Sequence, residues 1–112
     1  MKSKKSTILI RKDNLRIVRF KSCNHIGFMY KNLLLNFNIT GFQQFTESFQ
    51  QLNFDRRAVS FPDGTTRMVM KTCRQEIQLC FQKDEFEMVR EALQEAVVML
   101  EVNQILYSEQ EN

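Results

Sequence analysis

Apolar and polar residues alternate in short runs along most of this chain, while in two stretches the apolar positions recur every three or four residues. The first pattern belongs to strands with one buried face, the second to amphipathic helices. Strands are predicted at about 6–11, 15–20, 25–30, 33–38, 57–61, 66–73 and 76–82. Phe42, Phe45, Phe49 and Leu52 mark a first helix. Phe86, Val89, Leu93, Ala96, Val97, Leu100 and Leu106 mark a second, which outruns the first by about three turns.

Turn and cap signals bound these elements. Pro62-Asp63-Gly64-Thr65 is a strong turn, since proline presets φ and glycine accepts φ > 0. Lys12-Asp13-Asn14, Lys31-Asn32 and Arg74-Gln75 read as hairpin turns. Thr40 with Gln43, and Asp84 with Glu87, fit helix capping, in which a short oxygen side chain accepts from early backbone N–H groups. Along the strands, Leu33, Leu35 and Phe37, with Ile77, Leu79 and Phe81, fall on one face, which we assign to the helix-covered side. Met68 and Met70 share a strand face and are read as core.

The two halves resemble each other. RIVRF at 16–20 matches RAVSF at 57–61, and LLLNFNITGFQQFTESFQQL at 33–52 aligns with IQLCFQKDEFEMVREALQEA at 77–96. Leu35 meets Leu79, Phe37 meets Phe81, and Phe42 meets Phe86 in that alignment. Each half reads strand, strand, strand, helix. The expected fold is α+β: a two-layer, mainly antiparallel sheet of about seven strands with two helices on one face. It is built as a duplicated βββα unit, with pseudo-repeats at about 15–54 and 56–107 and an extra N-terminal strand at 6–11. A chain of 112 residues fits a single domain, 1–112.

Composition removes several chemistries. Three glycines at 27, 41 and 64 are too scattered for a phosphate-cradling loop, and one histidine rules out a two-histidine metal helix. Cys23, His25, Cys73 and Cys80 are the whole Cys and His inventory. A hairpin would hold Cys73 and Cys80 roughly 10 Å apart along its strands, too far for shared tetrahedral zinc ligation. Cys23 and His25 lack an assignable third group to orient an imidazole base. We therefore expect no cofactor, no metal and no catalysis. The longest N-terminal apolar run, Ile8–Ile10, is far short of a membrane span, so cytoplasmic residence with free thiols is expected.

Charge changes the picture more than composition does. The net charge is +3, yet residues 1–21 hold eight Lys or Arg against Asp13, and residues 83–112 hold eight Asp or Glu against Lys83 and Arg90. Lys12, Arg16, Arg19 and Lys21, with Phe20, His25 and Tyr30 nearby, are candidates for contact with nucleic acid or a protein partner. A solvated strand edge, or the acidic helix of another subunit, explains the same residues. The overlong second helix supplies a candidate dimer contact at Met99, Val102, Leu106 and Tyr107.

The stretch from CNHIGFMYKNLLLNFNITGFQQF through Pro62-Asp63-Gly64 to EIQLCFQKDEFEMVREALQEA resembles a family of small bacterial proteins of unknown function. The shared features are a Cys-x-His-Ile opening, an apolar strand ending at a helix cap, and a second strand leading into an acidic closing helix. The resemblance spans about residues 16–107 and implies no activity, cofactor or partner. Where some such proteins have a second Cys three residues before Cys23, this chain has Phe20. The expected function is a non-catalytic protein-interaction or regulatory domain that self-associates as a homodimer. The alternative is nucleic-acid binding through the basic N-terminal segment.

Overall fold

A computed structural model of the chain describes the backbone of residues 6–21 and 23–111 and side chains as far as Ile105. β1 (Ser6–Lys12), β2 (Leu15–Phe20), β3 (His25–Tyr30) and β4 (Leu33–Asn38) form an antiparallel meander in chain order. Asp13 and Lys31 take positive φ, 46° and 57°, in the two-residue turns that join β1 to β2 and β3 to β4. Such turns match the twist of paired strands. α1 (Ile39–Gln50) follows β4 directly, then α2 (Phe54–Arg57), β5 (Ala58–Ser60), β6 (Thr66–Lys71), β7 (Gln78–Phe81) and α3 (Lys83–Glu111).

The α+β class with seven antiparallel strands is as expected, but the strands form two sheets rather than one. β1-β2-β3-β4 is the first and β5-β6-β7 the second. The physical reason is the connection. β4 runs straight into α1, and α2 and the three-residue β5 follow, so β5 finds only β6 to pair with. In both halves three strands precede a helix, and β1 stands outside that order; the duplication itself rests on the sequence.

Local chemistry departs from expectation at both long helices. The α1 cap is Asn38, not Thr40: its Oδ1 accepts from the Gly41 N–H at 2.6 Å. A Cβ at position 41 would lie 3.0 Å from that oxygen, which accounts for the glycine. α3 begins at Lys83, and Glu85 rather than Glu87 reaches back, its Oε1 accepting from the Gln82 N–H at 2.9 Å. The β6–β7 connection is not a tight turn at Arg74-Gln75. It spans residues 72–77, where the Thr72 hydroxyl accepts from the Arg74 N–H at 3.1 Å and lies 2.6 Å from the Ile77 carbonyl oxygen. Ile77 therefore falls outside β7 and is exposed, contrary to its assigned inward face. The Pro62–Thr65 turn forms as read, with Gly64 at φ 86° and the Phe61 N–H donating to the Thr65 carbonyl at 2.8 Å.

Both sheets and the helices share one core. Leu15, Ile17, Ile26 and Phe28 from the first sheet join Met68, Leu79 and Phe81 from the second, and Phe42, Phe49, Phe86, Val89 and Leu93 from the helices. Leu33, Leu35 and Phe37 pack against it as assigned, while Leu34 points away. Aromatic contacts tie the layers: Phe49 of α1 stacks on Phe86 of α3 at 5.0 Å and meets Phe81 of β7 edge-on at 5.8 Å. Such pairs add about 0.5–1.5 kcal/mol each beyond area burial.

Candidate functional site

Folding brings the basic start and the acidic finish of the chain together. Lys12, at the end of β1, projects to the helix side and pairs with Glu91 and Glu95 of α3 at 3.5 and 3.3 Å. Lys31 pairs with Glu85 at 2.9 Å, and the Tyr30 hydroxyl donates to the same carboxylate at 3.1 Å. Burial raises the Glu85 carboxyl, but the Gln82 N–H, Lys31 and Tyr30 outweigh it and hold its pKa below the ordinary 4.5. Burial, and then the Glu85 carboxylate, push the Tyr30 phenol up to about 12. These groups are occupied in holding α3 to the hairpin turns.

The four cationic candidates therefore do not form one surface. Lys12 is engaged with α3, and Arg19 is buried at 7% exposure. Arg19 lies on the core side of β2, where its guanidinium donates to Asn103 Oδ1 of α3 at 2.6 Å and to Asn24 Oδ1 at 2.9 Å. The alternation of β2 decides this, because Leu15, Ile17 and Arg19 share the face that α3 covers. Arg16 projects to the opposite face, and Lys21 is exposed in the turn after β2. Tyr30 likewise faces inward, whereas Phe20 and His25 pair across strands on the outer face.

That outer face of the first sheet, to which strand alternation assigns Leu34 and Asn36, is a candidate surface in its own right. Ile8 and Leu34 are 47% and 56% exposed on it, beside Phe20, Val18 and Met29. Gly27 lies under the Phe20 ring: a Cβ there would come within 2.8 Å of the ring and 3.4 Å of the Leu34 methyl. Arg11 sits directly opposite Arg16 at one end. Like charges placed opposite each other in a sheet repel, and among the described residues neither has a carboxylate within 4.0 Å. The 2.0-residue alternation of β1 to β4 was the signal, once the β1 bulge between Ile8 and Ile10 is allowed for.

A second exposed apolar surface runs along α3. Val98, Val102 and Ile105 are 56%, 43% and 59% exposed. At 3.6 residues per turn they line the side of the helix directly away from Ala96 and Leu100, which are fully buried. Met99, 42% exposed, lies on the flank of this stripe. Leu106 and Tyr107, the other predicted contact residues, lie outside the residues whose side chains are described. Beside the stripe, α1 and α3 bound an open groove of about 650 Å³, with Val97, Val98 and Thr46 in it and Glu47 and Glu101 at its rim. The Thr46 hydroxyl is buried there with no partner among the described residues.

Cys23, Cys73 and Cys80 are free and exposed. Cys23 donates weakly to the Phe20 carbonyl, 3.9 Å away, in the turn that leads to His25. Among the described residues no three Cys, His, Asp or Glu side chains gather closely enough to hold a metal ion. No described helix is long and apolar enough to cross a membrane.

What the fold and surfaces define is a small α+β protein of two antiparallel sheets closed by a long helix, with one acid-flanked and one arginine-flanked apolar face. The chain belongs to a family of unknown function (DUF6686), whose model matches residues 1–112. Compared with the curated proteins and with the solved structures, it has no match.

Proposed function

We propose that this chain is a non-catalytic protein-interaction domain that self-associates through the free side of α3. The observation that carries the reading is the exposed stripe of Val98, Val102 and Ile105, set opposite the buried face of the same helix. Three large aliphatic side chains in register on a helix cost hydration free energy at roughly 25 cal/mol per Å² of apolar surface left in water. Contiguous exposed apolar surface of this kind marks interaction sites in soluble proteins. A cytoplasmic setting fits the three exposed free thiols.

The test is sedimentation equilibrium across a concentration series, on the wild type and on Val102→Asp. The wild type is expected to associate by tens of micromolar, and the substitution, at an exposed position, to abolish association without lowering thermal stability. A wild type that stays monomeric throughout that range overturns the proposal.

Nucleic-acid binding is the second reading, favoured by the Arg11–Arg16 pair at one end and Phe20 with His25 at the other end of an open sheet face. Of the four candidate cations, Arg16 and Lys21 lie outside the core, Arg16 donating to the Asp13 and Leu15 carbonyls, whereas Lys12 and Arg19 are engaged with α3. Phosphate contacts make log affinity fall linearly with log salt concentration. No retention of single-stranded RNA or DNA at low salt removes this reading.

A further inference from the structure

We infer that the surface α3 meets is not α3 of another copy but the outer face of that copy's four-stranded sheet, so that self-association is head-to-tail. The inference rests on the proposed self-association and names its counter-surface.

Charge argues against pairing α3 with itself. The stripe is flanked by Glu101 and, on α1, Glu47, both exposed, while Glu91 further along is paired with Lys12. No Lys or Arg occurs in α3 between Glu91 and Ile105, and α1 contains none. A two-fold helix pair would surround a seam of three aliphatic side chains per copy with carboxylates from both sides. Like-charge juxtaposition of this kind is how proteins reject a wrong partner.

The complementary chemistry, apolar residues flanked by cations, is present on the same molecule. The outer positions of β1 to β4 carry no Asp or Glu, by the strand register. Ile8, Leu34, Met29 and the Phe20 ring form its apolar centre, and Arg11 and Arg16 its cationic end. Arg16 already donates to the Asp13 and Leu15 carbonyls at 3.0 and 3.1 Å, so Arg11 is the guanidinium open to a carboxylate, and Glu101 of an incoming α3 carries one beside the aliphatic stripe. Geometry agrees: four strands about 4.8 Å apart, each six or seven residues long at about 3.3 Å per residue, present a platform of roughly 15 by 20 Å. One helix, 10–12 Å across by the usual dimension, fits on it.

The two faces point in opposite directions. α3 lies on the core side of the first sheet, anchored through Lys12 and Arg19, so its free side faces away from the sheet's outer face. One rigid pair therefore cannot satisfy both faces of both copies. The contact is heterologous and leaves one face of each kind unused, so it propagates into chains or closes into rings. The area places it among small, weak interfaces, which matches association only at micromolar concentrations. Nucleic acid fits the sheet face less well, because Phe20 and His25 lie together at one end of it and the exposed Ile8 and Leu34 offer bases nothing to stack on.

Complementation of two blocked variants tests the inference. Arg11→Glu with Leu34→Glu blocks the sheet face, and Val102→Lys with Ile105→Lys blocks the helix face; all four positions are exposed, and unchanged circular dichroism and melting verify folding. Light scattering after gel filtration is expected to find each variant monomeric, and their equimolar mixture a two-chain complex that grows no further, while the wild type passes beyond two chains. A sheet-face variant that still dimerises alone overturns head-to-tail contact but leaves self-association through α3 standing. A wild type that remains monomeric overturns both. Binding of a labelled single-stranded RNA that the sheet-face variant loses at least about tenfold, in a wild type that does not self-associate, assigns that face to nucleic acid and likewise overturns the inference. Should either double variant fold poorly, Arg11→Glu and Val102→Lys alone serve for the same mixture.

Discussion

Replacing Phe49 by alanine tests whether the two sheets share one cooperative core. Phe49 is fully buried, stacks on Phe86 at 5.0 Å with 18° between planes, and meets Phe81 at 5.8 Å and Phe45 at 5.9 Å. Phe-to-Ala changes in cores cost about 3–5 kcal/mol, more where the site cannot collapse. The rings around Phe49 are held by α1, β7 and α3, which cannot all close on one void, so the expected loss is about 4–5 kcal/mol. That is a large share of the roughly 5–15 kcal/mol that stabilises a domain. With a urea slope near 2 kcal/mol per M, the midpoint falls by roughly 2 M. Far-UV circular dichroism, which follows α1 and α3, and the near-UV tyrosine signal, to which Tyr30 of the first sheet contributes, are expected to give coincident transitions in both proteins. A loss below about 1.5 kcal/mol, or separate transitions for the two signals, refutes a core shared between the sheets.

Three further outcomes come from the local chemistry. Asn38→Ala removes the oxygen that caps α1 and is expected to lower stability by about 1 kcal/mol in the same urea assay. Glu85→Gln tests acid sensitivity. Because the folded carboxyl titrates below its ordinary 4.5, its contribution is complete above that value and is lost as pH falls through the folded pKa. Wild-type stability therefore drops in that acid window, and the substitution is expected to flatten the slope there. Tyr30→Phe tests the alkaline side. The phenol's pKa is raised from 10.0 to about 12, so its contribution is complete below pH 10.0 and is lost as pH rises through that interval. A pH series of thermal melts checks both, and an unchanged slope in either variant contradicts the assignment.

Much of this protein was legible in local pattern. Alternation and the three-to-four spacing placed seven strands and two long helices, because side-chain period follows directly from backbone geometry. The inward set Leu33, Leu35 and Phe37 came from the same rule. Three-dimensional packing decided what pattern could not. Whether β4 pairs with the second set of strands depends on where α1 and α2 carry the chain, so one expected sheet became two. Asn38 displaced Thr40 as the cap because β4 enters α1 without a loop.

The candidate surfaces divide in the same way. The sequence alone determined that the chain is cationic at its start and acidic at its end, and that α3 is longer than a compact body needs. Only the tertiary structure decided which charges are engaged within the molecule. Lys12 and Arg19 turned inward to Glu95 and Asn103, on residues more than eighty positions away, while Arg11 and Arg16 were left on the open side of the sheet. Charge is additive along a chain, but a partner is chosen by distance and by the face a strand presents, and both are properties of the fold.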